Sequence, residues 1–276
     1  MDKYLESIVN DKLPLIKYDL FSKYDFINHG FTTRLGGVSD GIYSSLNLSF
    51  DRGDNRENVI KNYQIIADEI GEDIKSFTAS KQTHTTNVRI ITEDDKGKGI
   101  TRDRDYTDVD GMLTNNPNIV LFTYYADCVP LFFADPVKKI VGMAHSGWRG
   151  TAGKIGKVTV EKMVSYFDCK KEDIICAIGP SICKSCYEIS EDVAEVFKKM
   201  FKDKWEDILE DKHNGHYQLD LWRANELILL EAGITQNHIE NRRICTCENS
   251  DILFSHRASN GKRGNLAGFI GLKGNT

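Results

Sequence analysis

Apolar positions along the chain change period repeatedly, and each change marks an element. From Asp54 to Gly71, Ile60, Tyr63, Ile66 and Ile70 recur at helical spacing. Asp54 can cap the first turn with Glu57 three residues on, and Gly71 supplies the stop. The same periodicity predicts helices over Thr151–Phe167, Ser190–Phe201 and Leu221–Ala232. Between them run short segments rich in β-branched and aromatic residues. Asn28–Thr33, Asn87–Thr92, Ile119–Tyr125, Leu131–Ala134, Ile140–His145, Asp173–Ile178, Arg242–Thr246 and Leu266–Leu272 are therefore predicted strands. Helices and strands interleave without a strict strand–helix repeat, so the expected fold class is α+β, with layered mixed β-sheets flanked by helices. No low-complexity tract, solenoid repeat or Pro/Gly/Ser-rich linker divides residues 1–276, and a single domain is expected.

Composition narrows the function classes. The net charge of -5 and pI near 5.8 offer no basic footprint for nucleic acid. The apolar stretch from Asn118 to Asp135 is interrupted by Asp127 and Pro130 and falls short of the roughly 20 residues that span a bilayer. The charged N-terminal segment lacks the apolar run of a secretory signal. Seven cysteines, an odd number, argue against a complete disulfide framework. A cytoplasmic protein acting on small molecules, as a monomer, is the expectation.

Three metal-competent residues fall where predicted strands meet loops: His84 in KQTHTTNV, Cys128 in TYYADCVPLFF and His145 in GMAHSGWRG. Two imidazoles and a thiolate suit zinc, with a fourth position open for water or substrate. Their separations, 44 and 17 positions, match no short metal motif. On spacing alone, two loop histidines and a buried core cysteine is the better description.

Longer phrases carry a resemblance. HGFTTRLGGVS (29–39), KQTHTTNV (81–88), DVDGMLTN (108–115), ADCVPLFFAD (126–135), AHSGWRGTAGKI (144–155) and IGPSICKSCYEI (178–189) together resemble the YfiH-type family, also called laccase-domain or multicopper polyphenol oxidase proteins and purine nucleoside phosphorylases. The resemblance implies a zinc site at His84, Cys128 and His145, with copper as an alternative occupant. It also implies a layered mixed fold, phosphorolysis of adenosine, inosine and S-methyl-5'-thioadenosine, and deamination of adenosine. A multicopper cluster needs many further histidines, whereas the chain has seven in all and no H-x-H pair.

Within that reading, Asp127 beside Cys128 is the candidate proton shuttle, with an alternative role of hydrogen-bonding its loop and orienting a ligand. Arg34, in a Thr-Arg-x-Gly-Gly loop, and Arg149, four residues beyond His145, are the phosphate candidates. Cys128 with a histidine base could instead be the nucleophile of a hydrolase acting on peptidoglycan precursors. Cys183-x-x-Cys186 is assigned no catalytic role. Cys245 and Cys247 are read as inward and outward residues of a strand. Arg257, Lys262 and Arg263 form a glycine-rich basic loop where the family pattern favours an arginine directly before the last strand. Asn265 stands there, so no substrate role is assigned to the loop.

Overall fold

The computed structural model describes residues 2–274, which form two packed sheets enclosed by helices and a small third sheet. The five-stranded sheet runs β1 (Leu15–Ile16), β2 (Ile27–Thr32), β14 (Leu266–Leu272), β6 (Val120–Tyr125) and β3 (Phe77–Ala79). All its pairings are antiparallel except that of β3 with β6. The six-stranded sheet runs β13 (Ile239–Asn241), β9 (Ile175–Ile178), β7 (Val129–Asp135), β8 (Ile140–Ser146), β5 (Gly111–Thr114) and β4 (Val88–Ile90). Its two outer pairings are parallel and its inner ones antiparallel. The third sheet is β10 (Glu188–Ser190), β12 (His216–Leu219) and β11 (Leu209–Asp211).

Four layers result. Phe31, Leu121 and Ile270 from one large sheet meet Phe132, Val141 and Met143 from the other. The outer face of the five-stranded sheet, with Phe77, Phe122 and Phe269, is covered by Val59, Tyr63 and Ile66 of helix α3 (Arg56–Ile70). The outer face of the six-stranded sheet, with Leu131, Phe133 and Ile178, meets α5 (Ile155–Phe167) and α7 (Leu221–Glu231). Burial on both faces explains why β7, β8 and β14 read as continuous buried runs without alternation. Gly268 permits the close approach of the sheets, because a Cβ there would lie 2.4 Å from the Met143 methyl.

Several predicted boundaries move for identifiable reasons. Asn55, not Asp54, caps α3 by accepting the Glu57 N–H at 2.7 Å. The Asp54 carboxylate instead accepts from Ser39 and Asn47. The helix predicted over Thr151–Phe167 is two helices, α4 (Trp148–Ala152) and α5, separated at Gly153 and a left-handed Lys154. A Cβ at Gly153 would sit 2.5 Å from Thr86, so the break lets α4 press against the His84 loop. No strand forms over Arg242–Thr246. Arg243 is left-handed with φ 54°, and the paired segment ends at Asn241. Cys245 and Cys247 thus lie on a loop and not on opposite faces of a strand.

Candidate metal centre

Cys128 ends the short link by which the chain leaves β6 in one large sheet and enters β7 in the other. Asp127 turns that link through a left-handed conformation with φ 88°. His145 lies near the end of β8, where Pro130 is its partner across the ladder, so Cys128 and His145 emerge at one end of the same hairpin. His84 reaches them from the loop between β3 and β4, itself left-handed with φ 66°. The three donor atoms lie within 4.8 Å of one another. Gly147 packs behind them: a Cβ there would stand 3.0 Å from the His84 ring and 3.1 Å from Cys128 Sγ.

A fully buried carboxylate holds this arrangement. Asp110 Oδ1 lies 2.8 Å from His145 Nδ1 and accepts the His84 N–H at 3.1 Å. Its Oδ2 accepts the N–H groups of Thr83 and Thr85 at 2.9 and 3.1 Å. With Nδ1 occupied, His145 presents Nε2 to Cys128, as in carboxylate–histidine–metal arrangements. Burial alone would raise the Asp110 carboxyl, but His145 and the loop amides outweigh it and hold it below the usual range.

Electrostatics point the same way. Burial pushes the Cys128 thiol up, yet His145 and His84 bring it down to about 6. Burial disfavours a charged His145, while Cys128 and Asp110 lift it to about 9. The convergence of two imidazoles and an ionisable thiol, with one ring oriented by a carboxylate, fits a tetrahedral cation with one position left for another ligand.

The trio opens onto a cavity of about 310 Å³, at the small end for ligand sites. Its rim carries Arg52, Lys81, Arg104 and Arg263 against a single acid, Asp51. Lys81 pairs with Asp51 at 2.8 Å, Arg52 donates to the Gly261 carbonyl, and Arg104 to the Ser80 carbonyl. Arg263 differs. Its Nη1 donates to the Gly264 carbonyl and to Asn265 Oδ1, but its Nε is buried with no partner, and burial together with Arg52 lowers its guanidinium to about 10. A cation with one donor still free beside the cavity has the chemistry to meet an anion.

The structure distributes the other sequence candidates unevenly. Asp127 turns its carboxylate into the protein: Oδ1 accepts from Thr246 Oγ1 and Oδ2 from the Arg257 N–H, each at 2.7 Å. Both oxygens are thus engaged by neighbouring loops, and Asp127 is not among the residues lining the cavity. Arg34 stacks on Phe254 and donates to the carbonyls of Ser44 and Ser250, outside the cavity lining. Arg149 is exposed, stacks on its neighbour Trp148, and also lies outside the lining. Arg263 and Asn265, from the loop left without a role, line the cavity, while Arg257 donates to the carbonyls of Cys186 and Glu188. Sequence reasoning passed over Asp110 although DVDG was in view. A carboxylate immediately before a strand that also carries Gly111 was the available signal.

The geometry can be set beside known proteins. A family model described as multi-copper polyphenol oxidoreductase laccase matches residues 28–273. A Bacillus subtilis protein named purine nucleoside phosphorylase YlmD is 38% identical over 249 residues, covering 88% of each chain. The crystal structure of Bacillus licheniformis hypothetical protein YfiH superposes with a TM-score of 0.87 at 34% identity, covering 90% of this chain and 93% of that one. YlmD from Geobacillus stearothermophilus superposes at 0.86 with 32% identity, covering 93% and 94%. Agreement that begins within β2 and runs through β14 means that this chain belongs to the multi-copper polyphenol oxidoreductase laccase family.

Proposed function

We propose that the trio cavity is the active site of a zinc-dependent purine nucleoside phosphorylase acting on adenosine, inosine and S-methyl-5'-thioadenosine. The observation that carries this reading is the pairing, in one cavity, of a metal-type donor trio with a half-buried arginine, Arg263, whose Nε has no partner. Zinc bound by His84, Cys128 and His145 would supply a Lewis acid with an open position. Arg263, with Arg52 beside it, would hold phosphate and keep its oxygen aimed at the ribose C1′. The oxygen forms the new bond to C1′, the bond from C1′ to the base nitrogen breaks, and the base leaves with the electron pair and takes a proton from water. Asp110 would keep the histidines in place throughout, without touching the substrate.

The name borne by the relatives supports this substrate class. Deamination of adenosine would also need a proton carrier at the cavity, and Asp127 is committed elsewhere. Among the described residues, the only other metal-type cluster is thiol-based, which gives no support to a multicopper oxidase. Among the described residues, no helix is long and apolar enough to cross a membrane. All seven cysteines are free thiols, which supports a reducing, cytoplasmic setting.

The test is chromatography of adenosine, inosine and methylthioadenosine incubated with zinc-loaded protein, with and without phosphate. Phosphate-dependent release of free base and a ribose 1-phosphate is expected. Intact nucleosides in the presence of confirmed zinc would refute the proposal. One observation favours a second reading, in which Cys128 is a nucleophile: a thiol brought down to about 6 beside a histidine is also how cysteine hydrolases are built. Alkylation of Cys128 by iodoacetamide that zinc does not slow would support that reading over the first.

A further inference from the structure

A second cluster of donors stands outside the cavity. Cys183, Cys186, Cys245 and Glu248 bring three thiols and a carboxylate together, with their ligand atoms all within 4.8 Å of one another. The cluster joins two loops that follow the neighbouring parallel strands β9 and β13, and Cys183 and Cys245 are 62 positions apart. The first loop wraps Cys183 and Cys186 around a short 3-10 turn, Lys184–Cys186. The second folds back so that the Glu248 N–H points at Cys245 Sγ, 3.5 Å away. The Cys183 N–H points at the same sulfur from the other loop, at 3.3 Å. Glu248 Oε1 lies 3.3 Å from Cys183 Sγ and 3.9 Å from Cys186 Sγ.

These features separate the cluster from a chance gathering of thiols. Free cysteine packs readily into apolar cores. Here, however, a carboxylate faces two of the three sulfurs, and two peptide N–H groups fix the third, as outer partners do around metal-bound sulfur. Cys183 and Cys245 are buried while Glu248 is exposed, so an ion has a way in. The His-x-Glu segment of the chain lies at His238–Glu240. Its His238 faces the Ile174 carbonyl and Glu240 accepts the Leu20 N–H, so neither belongs to the cluster and it lacks the parts of a nucleobase deaminase centre.

We propose that Cys183, Cys186, Cys245 and Glu248 form a second zinc site, structural in kind, that clamps these two loops behind the catalytic trio. Four protein donors, three of them sulfur, close a tetrahedral shell and leave no position for a substrate. The residues flanking the cluster carry the effect inward. The Ile182 N–H donates to the Asp127 carbonyl at 3.0 Å, and Thr246 Oγ1 donates to the Asp127 carboxylate at 2.7 Å. Asp127 precedes Cys128, so joining the two loops fixes the backbone from which the trio thiol projects.

The experiment removes the first site to expose the second. Full-length protein carrying His84→Ala and Cys128→Ala is incubated with zinc sulfate, dialysed and analysed for metal. One zinc per chain is expected to remain, against two in the unaltered protein, and cobalt in its place is expected to show thiolate charge-transfer absorption. The complementary Cys183→Ser/Cys245→Ser protein should keep one zinc, at the trio, and melt at lower temperature. A His84→Ala/Cys128→Ala protein that is folded by circular dichroism yet retains no zinc overturns the proposal, as does a cobalt form without thiolate absorption. That measurement decides the matter even if the serine variant fails to fold. Either result leaves the nucleoside reading untouched, because it does not depend on the second site.

Discussion

Asp110 Oδ1 lies 2.8 Å from His145 Nδ1 and also receives the backbone N–H of His84, so one carboxylate positions both histidines of the trio. Neither histidine depends on packing alone for its aim. Replacing Asp110 by Asn keeps the volume but removes the charge and one acceptor. Zinc affinity at the trio is expected to fall about 10- to 100-fold, the usual cost of losing a partner that orients a ligand. Competition titration against a chelating dye measures it, and unchanged affinity would show that Asp110 serves the loop alone.

Arg263 should carry phosphate binding. Charge-assisted hydrogen bonds contribute about 1.5–3 kcal/mol, so Arg263→Gln is expected to raise the KM for phosphate about tenfold or more with little change in the KM for nucleoside. Arg149→Ala, at an exposed arginine outside the cavity, should change it less than about twofold. Steady-state kinetics with phosphate varied would reverse this assignment if the two variants exchanged behaviour.

A side chain at Gly147 would crowd the trio. A methyl group there meets the His84 ring and Cys128 Sγ at 3.0 and 3.1 Å, and such overpacking costs about 1–3 kcal/mol. Gly147→Ala should therefore weaken zinc at the trio by about tenfold or more while the far-ultraviolet circular dichroism stays native. Retention of full affinity would mean that the donors can retreat without loss.

His29 sets an acid limit on stability. Burial and the nearby Lys17 bring its imidazole from 6.5 down to about 3, while its Nε2 accepts the Tyr18 N–H at 3.0 Å. The folded protein thus keeps a neutral ring that the unfolded chain protonates. Its contribution is intact above pH 6.5 and is lost as pH falls from there towards 3, by about 1.4 kcal/mol per unit. Urea unfolding at several pH values, compared with His29→Gln, should show the steeper acid decline in the unaltered protein. Parallel declines would remove His29 as the cause.

The elements with a clear period were legible in advance. Helix α3 and strand β14 lie within a residue or two of expectation because Ile66 faces a core and Leu266–Leu272 is buried throughout. The convergence of His84, Cys128 and His145 depends on how two sheets meet: their placement at strand ends suggested it weakly, and the family resemblance carried it. Asp110 and Arg263 were missed as site residues for a related reason: one acts through His145 and backbone N–H groups, the other enters the cavity from a loop distant in sequence, and the DVDG phrase was the one faint signal. Arg34 and Arg149 stand beside glycines in the sequence, and the surfaces they stack on, Phe254 and Trp148, are not revealed by any linear pattern. The short edge strands β1, β3, β10 and β11 carry too few residues to show alternation.

The link from Tyr125 to Val129 passes between the two large sheets and places Cys128 at the crossing, whereas His145 is rooted in the six-stranded sheet alone. Any slip of one layer over the other must therefore change the spacing between thiol and imidazole. An ion captured at the trio would act as a rivet through the sandwich: the strength of that grip and the rigidity of the whole body would rise and fall together.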